Sequence, residues 1–178
     1  MITFEGYRDK LRQQQHYIQD GEKLMRIYGA SKIWHSNLWR GVRSQGFDIT
    51  GRWIDIEGDS ESPAIYQGRE ITRSDIWDYC LEDVTAADAV IIYCGADDEE
   101  QRGVIMEAGH AIGQGKPVYC INTCKTFSPC AVSDVAFTHH RLWNWVGNGL
   151  SFYDGFIKAY WMASTDKGNG ISRAWHYG

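Results

Sequence analysis

Apolar positions fall in short blocks separated by polar segments that carry glycine, and the period within each block changes along the chain. Ala89-Val90-Ile91-Ile92-Tyr93-Cys94 is an unbroken apolar run, the pattern of a central parallel strand buried on both faces. Leu24-Met25-Arg26-Ile27-Tyr28 and Pro117-Val118-Tyr119-Cys120-Ile121 read as further strands, the first closed by a turn at Gly29-Ala30-Ser31. A strand is also expected from Phe47-Asp48-Ile49 to Trp53-Ile54-Asp55-Ile56, followed by a polar loop, 58–68, long enough to cover a site. Helical spacing appears in 5–20, in Ser36 to Gln45 before Gly46, and in Gly103 to Ile112 before Gly113 and Gly115. Thr72-Arg73-Ser74-Asp75 fits a capping box, after which Ile76, Cys80, Leu81, Val84 and Ala87 keep a helical period up to Asp88. Leu142 to Met162 also has helical spacing and is expected to close the sheet. The resulting β-α-β-α-β-α-β order implies an α/β fold with a doubly wound parallel sheet, whose ligands bind outside the carboxyl ends of the strands. One domain accounts for 1–178: an N-terminal helix in 1–23, an α/β core over 24–163 and a Gly-rich tail over 164–178.

Composition narrows the function classes. The 178 residues are 43% hydrophobic with three prolines, enough for a full core without a metal or disulfide staple. A formal charge of -5 and the lack of a basic stripe exclude duplex nucleic acid as a partner. No stretch approaches the roughly 20 apolar residues that cross a bilayer, and 1–15 lack the apolar region of a secretory signal. No membrane partner and a cytoplasmic location are expected. Five cysteines, an odd number, argue for reduced thiols. Cys120, Cys124 and Cys130 with His139 and His140 lack C-x2-C spacing, so no metal is expected.

The first βα turn, Tyr28-Gly29-Ala30-Ser31, has neither G-x-G-x-x-G nor G-x-x-x-x-G-K-[ST], and no G-x-S-x-G elbow occurs. Dinucleotide and Walker-type sites and the elbow hydrolases are therefore disfavoured, and no cofactor is expected. Glu107 stands out. It lies between Met106 and Ala108 near the start of a helix at the ligand end of the sheet. From its residues alone it is either a ligand-facing carboxylate or a solvated one favoured by the helix dipole. Trp34, Trp39 and Trp53 are candidates to cover a base, Trp34 because it follows the first turn and Trp53 because it ends the second strand, and His110 lies one turn beyond Glu107.

Ile27-Tyr28-Gly29-Ala30-Ser31, Ala87-Asp88-Ala89-Val90-Ile91, Gly103-Val104-Ile105-Met106-Glu107-Ala108-Gly109-His110-Ala111 and Gly115-Lys116-Pro117-Val118 together resemble the nucleoside 2-deoxyribosyltransferase-like family. The resemblance covers 24–121 well and 137–146 weakly, and its most specific part is the G-x-x-x-E-x-G-x-A…G-K-P-V run. It implies a flavodoxin-like (Rossmann-like) protein that cleaves the N-glycosidic bond of a nucleoside and passes the sugar to another base or to water. By the same resemblance Glu107 is the nucleophile, and Tyr28 the tyrosine that orients it.

The chain departs from the family by carrying Cys80 where an Asp often binds sugar or base; Asp83, three residues on, is a candidate replacement. Gln101 stands where relatives often have a sugar-binding acid, and Ala30, Ser31, Trp34, Trp53, Asp55 and Gly103 complete the expected substrate contacts. The loop Ala96-Asp97-Asp98-Glu99-Glu100-Gln101-Arg102 has four consecutive acids and no hydroxyl, which favours a nucleoside without a 5′-phosphate. The family usually assembles with neighbouring chains completing each site, so a homo-oligomer is expected. The rival readings are a non-catalytic protein that binds a nucleoside or a nicotinamide-derived signal, and a TIR-like NAD glycohydrolase.

Overall fold

In the computed structural model, which describes residues 25–58, 62–98, 101–123 and 140–169, the chain forms seven strands and four α-helices among those residues. The strands are β1 (Ile27–Ala30), β2 (Ile49–Thr50), β3 (Ala64–Tyr66), β4 (Arg69–Ile71), β5 (Ala89–Cys94), β6 (Val118–Asn122) and β7 (Trp143–Asn148). The helices are α1 (Ser36–Ser44), α2 (Arg73–Ala86), α3 (Arg102–Gly113) and α4 (Phe152–Asn169). Five strands form one parallel sheet in the order β2-β1-β5-β6-β7, and β3 and β4 form a separate antiparallel hairpin. Numbered by the sheet's own strands, this is 2-1-3-4-5, the flavodoxin-like doubly wound order. Its switch point lies between β1 and β5, where consecutive crossovers leave on opposite faces of the sheet.

The strand β5 occupies the centre, with all six residues buried, as its unbroken apolar run requires. On one face Trp39 of α1 stacks edge-on against Phe152 and Phe156 of α4, at 5.0 and 6.2 Å between ring centroids. α2 and α3 cover the other face. The Thr72 hydroxyl accepts from Asp75 N while the Asp75 carboxylate accepts from Thr72 N, so the capping box opens α2 as read from the sequence. Lys116 Nζ donates to the carbonyls of Val84 (2.8 Å) and Thr85 at the other end of α2, neutralising its carbonyl terminus. Gly115, at φ 75°, makes the turn that brings Lys116 there.

Four expectations change. Gly29 and Ala30 belong to β1 rather than to a turn, because Gly29 provides room for Trp39: a Cβ at 29 would stand 2.5 Å from the Trp39 ring. The strand expected through Ile56 stops at Thr50, where Gly51 at φ 112° turns the chain into a 3-10 helix, Arg52–Asp55. The 58–68 loop contains β3 and the start of a hairpin, closed by left-handed Gln67 (φ 50°) and Gly68 (φ 74°), as a type I′ turn demands. Leu142 to Met162 is not one helix: Trp143–Asn148 pairs with β6 as the edge strand, and the helix beginning at Phe152 runs on to Asn169, into the stretch assigned to the tail. Residues 143–146 become a strand through their pairing with β6, which local propensity does not see. The helix expected over 5–20 and residues 170–178 lie outside the described residues.

The Gly29 packing makes the first prediction. Gly29→Ala forces a methyl into the Trp39 ring, which is itself fully buried, and is expected to lower stability by about 1–3 kcal/mol, read as a lower urea midpoint with unchanged slope.

Candidate active site at the switch point

Side chains alternate along β1, so Tyr28 faces α2 and α3 while Gly29 faces α1. Tyr28 Oη donates to Glu107 Oε1 at 2.8 Å across the sheet-helix interface. Glu107 lies in the second turn of α3, one of its buried residues at 7% exposure, and is therefore not the solvated helix-start acid that its position alone allowed. The Cys80 thiol, from α2, stands beside both groups and donates to the same carboxylate. Three elements thus converge on one carboxyl group. Burial pushes the Glu107 carboxyl up to about 7, against the downward pull of the Tyr28 and Cys80 hydrogen bonds. Burial, then the neighbouring Glu107 charge, raises the Tyr28 phenol well above its ordinary value and the Cys80 thiol to about 12. Near neutral pH the cluster therefore holds one carboxyl on the edge of ionisation and two donors that keep their protons.

A second carboxylate organises the loops above the sheet. Asp98, in the β5–α3 loop, has a side chain only 3% exposed. It accepts from Gly95 N (2.7 Å), Gln101 Nε2 (2.8 Å), Trp34 Nε1 (3.1 Å) and His35 Nε2 (2.9 Å). The β1–α1 and β5–α3 loops, which flank the switch point, are thereby tied together. From the sequence Asp98 counts only as one of four consecutive acids that disfavour a phosphate, and His35 carries no expected role. The signal was the aromatic and imidazole donors at 34 and 35, whose partner the linear sequence does not name. Asp97 is exposed, and Glu99 and Glu100 lie outside the described residues.

The remaining expected contacts divide. Gln101 is buried beside Asp98, and its Oε1 accepts no hydrogen bond among the described residues, leaving an acceptor for a ligand donor. Gly103 has open space where a Cβ would stand, and Trp34 is 61% exposed. Ala30 is buried at the end of β1, and Ser31 Oγ accepts from Trp39 Nε1 at 2.8 Å. Trp53 is buried, with its Nε1 donating to the Gly29 carbonyl at 2.9 Å; it braces β1. Asp55 faces α1, paired with Arg43 (2.6 Å) and Arg40 (3.8 Å). Asp83 holds Arg52 through its backbone N (2.7 Å) and Nε (3.0 Å), fastening the 3-10 helix to α2. The Asp83 carboxylate is thus engaged in the fold. Asp88 Oδ2 accepts from Arg26 N at 2.9 Å, a strand-start hydrogen bond. His110 turns to α2, with Nε2 3.1 Å from Thr85 Oγ1.

No group of residues with metal-ligand character occurs among the described residues, and Cys124, Cys130 and His139 lie outside them. Cys80, Cys94 and Cys120 are buried thiols. Among the described residues no helix is long and apolar enough to cross a membrane. Comparisons with protein-family models, with curated proteins and with solved structures find no match to the chain.

The elevated Glu107 carboxyl has a thermodynamic consequence. A folded-state value above the unfolded one favours the folded protein below the unfolded value of about 4.5, an advantage lost as pH rises through about 7. Glu107→Gln removes the charge that must otherwise be buried. It is expected to leave stability nearly unchanged at pH 4 and to raise it at pH 8–9, by up to roughly 3 kcal/mol, measured by urea unfolding at the two pH values.

Proposed function

We propose that the protein cleaves the N-glycosidic bond of a nucleoside through a glycosyl-enzyme on Glu107, as the family resemblance implies, and passes the sugar to another nucleobase or to water. The observation that carries this reading is the buried Tyr28-Glu107 hydrogen bond of 2.8 Å at the switch point of the sheet. A carboxylate that attacks C1′ splits one displacement into two, each with an oxocarbenium-like transition state. Such a carboxylate must stay in one orientation while remaining reactive. Tyr28, locked in a central strand, fixes the orientation, and the low-polarity surroundings keep the carboxylate poorly solvated and so more reactive toward a developing cation. The position of Gln101, with a free buried acceptor in the loop before α3, suits a sugar hydroxyl. The exposed indole of Trp34, fixed by Asp98, suits the face of a base.

The reading includes a substrate without a 5′-phosphate, a cytoplasmic setting in which Cys80, Cys94 and Cys120 stay reduced, and a homo-oligomer. Exposed Ile33, Met106 and Trp161 supply apolar surface for contacts between copies.

Free base released from a mixture of nucleosides, or new nucleosides formed when other free bases are added, tests the reaction directly. Glu107→Ala is expected to lower turnover by ~10²-fold or more, about 2.7 kcal/mol of barrier, with the fold intact. Tyr28→Phe is expected to lower it less, and the double variant to match Glu107→Ala, because the two groups act as a unit. Multiplying effects would separate them.

The pH profile carries an independent expectation. Glu107 attacks only when ionised, so turnover falls as pH drops through about 7. Cys80→Ala deletes a donor to the carboxylate and is expected to move that limb to higher pH, whereas an unmoved limb would show that the thiol does not bear on Glu107.

A further inference from the structure

We infer that His35, held by Asp98, is the proton donor to the departing base and later the acceptor of the proton from the incoming nucleophile. This rests on the proposed cleavage at Glu107. Through Tyr93, His35 packs on the face of the sheet opposite to the one that holds that carboxylate. Tyr28 is in register with Val90, and Gly29 with Ile91, so Ile91 and Tyr93 share the face that Gly29 presents to α1. Tyr93 packs against Phe152 of α4 at 5.0 Å and against the His35 ring at 4.9 Å. Glu107 and Cys80 belong to the other face, beside Tyr28. A displacement at a sugar carbon has its nucleophile and leaving group on opposite sides of that carbon. With Glu107 beneath C1′, the base departs toward the side on which His35 stands.

The dyad has the geometry of an acid-base pair. A carboxylate can only accept, so His35 Nε2 carries its hydrogen toward Asp98, at 2.9 and 3.0 Å from its two oxygens. Nδ1 makes no hydrogen bond to another described residue, and the side chain is 17% exposed, so that nitrogen is open to a ligand. Asp98 is itself fixed by Gly95 N, Trp34 Nε1 and Gln101 Nε2, which holds the imidazole plane. The unpartnered Gln101 Oε1 next to the dyad is an independent sign that a donor-bearing ligand completes this side. The residues in contact with Glu107 do not offer an alternative acid: the Tyr28 phenol and Cys80 thiol hold their protons too tightly to give one to a base.

In the first step the C1′–N bond breaks and its electron pair passes to the base. The Glu107 oxygen bonds to C1′, and the proton on Nδ1 of the imidazolium moves to a ring nitrogen of the base. In the second step water or an acceptor base gives its proton to Nδ1 as it attacks C1′, and Glu107 leaves as carboxylate. Protons and electrons balance without any further reactant.

The test compares two 2′-deoxyribosides with the same sugar, one of adenine and one of a pyridinium base such as nicotinamide. Adenine leaves as an anion unless protonated, whereas the pyridinium base leaves neutral and needs no acid. His35→Gln is expected to lower base release from the adenine deoxyriboside by ~10²-fold or more and from the pyridinium deoxyriboside by less than about 3-fold. The second result also reports a folded site. Asp98→Asn, which removes the charge orienting the imidazole, is expected to shift the same ratio in the same direction. Equal losses on both substrates in the two variants, or no loss on adenine, overturn the role of His35 while leaving cleavage at Glu107 standing. If the unsubstituted protein releases neither base, the proposed reaction fails and the role of His35 with it.

Discussion

The hydrogen bond from Tyr28 to Glu107 constrains the register of the whole molecule. A carboxyl group 7% exposed in an apolar interface requires donors, and those donors come from β1 and α2 while the acid comes from α3. A slip of β1 by one residue would turn Tyr28 toward α1 and bring Gly29, with no donor, to Glu107. It would also push a phenol into the space that the missing Cβ of Gly29 leaves for Trp39. The donor on one face and the vacancy on the other therefore fix the same strand in the same place, and that strand borders the switch point.

Asp98 does for the loops what Glu107 does for the layers. Its four donors include a backbone amide of its own loop and two side chains of the β1–α1 loop, so neither loop can be positioned without the other. The two carboxylates are solvated by different means. Glu107 sits with a phenol and a thiol in apolar surroundings and is pushed toward neutrality, whereas Asp98 accepts from a peptide N–H, an amide, an indole and an imidazole. One group suits a change of state and the other suits holding a neighbour still.

Fold class was readable where a local pattern and its tertiary setting agree. The run 89–94 has no polar alternative, and the Thr72-Asp75 box is complete within four residues. The edge strand β7 and the β3–β4 hairpin escaped because their identity comes from pairing: 143–146 becomes a strand only with β6 beside it, and the hairpin turns on a left-handed Gln67, which composition does not announce. In the site, Glu107 and Tyr28 were found through their order along the chain, and the structure brings them together at hydrogen-bond distance. Asp98 and His35 were not, since their pairing spans 63 residues and each alone is an ordinary loop residue. Asp55 and Asp83 were placed among substrate contacts by position, but Asp55 pairs with Arg43 and Arg40, and Asp83 with Arg52.

The residues that carried the resemblance have unequal weight once their partners are known. Gly115 and Lys116 shape a turn and cap α2, Asp88 begins a strand, and Gly29 admits an indole. All of these serve the sheet itself and say nothing of what it binds, because a flavodoxin-like sheet hosts many chemistries. Glu107 differs in kind. A buried carboxyl whose charge disfavours the fold above neutral pH is a poor choice for stability, and an isosteric amide would accept the same hydrogen bonds without that cost. Function is therefore marked less by how much of the motif is present than by Glu107, an ionisable group that the chain buries against the interest of its own stability.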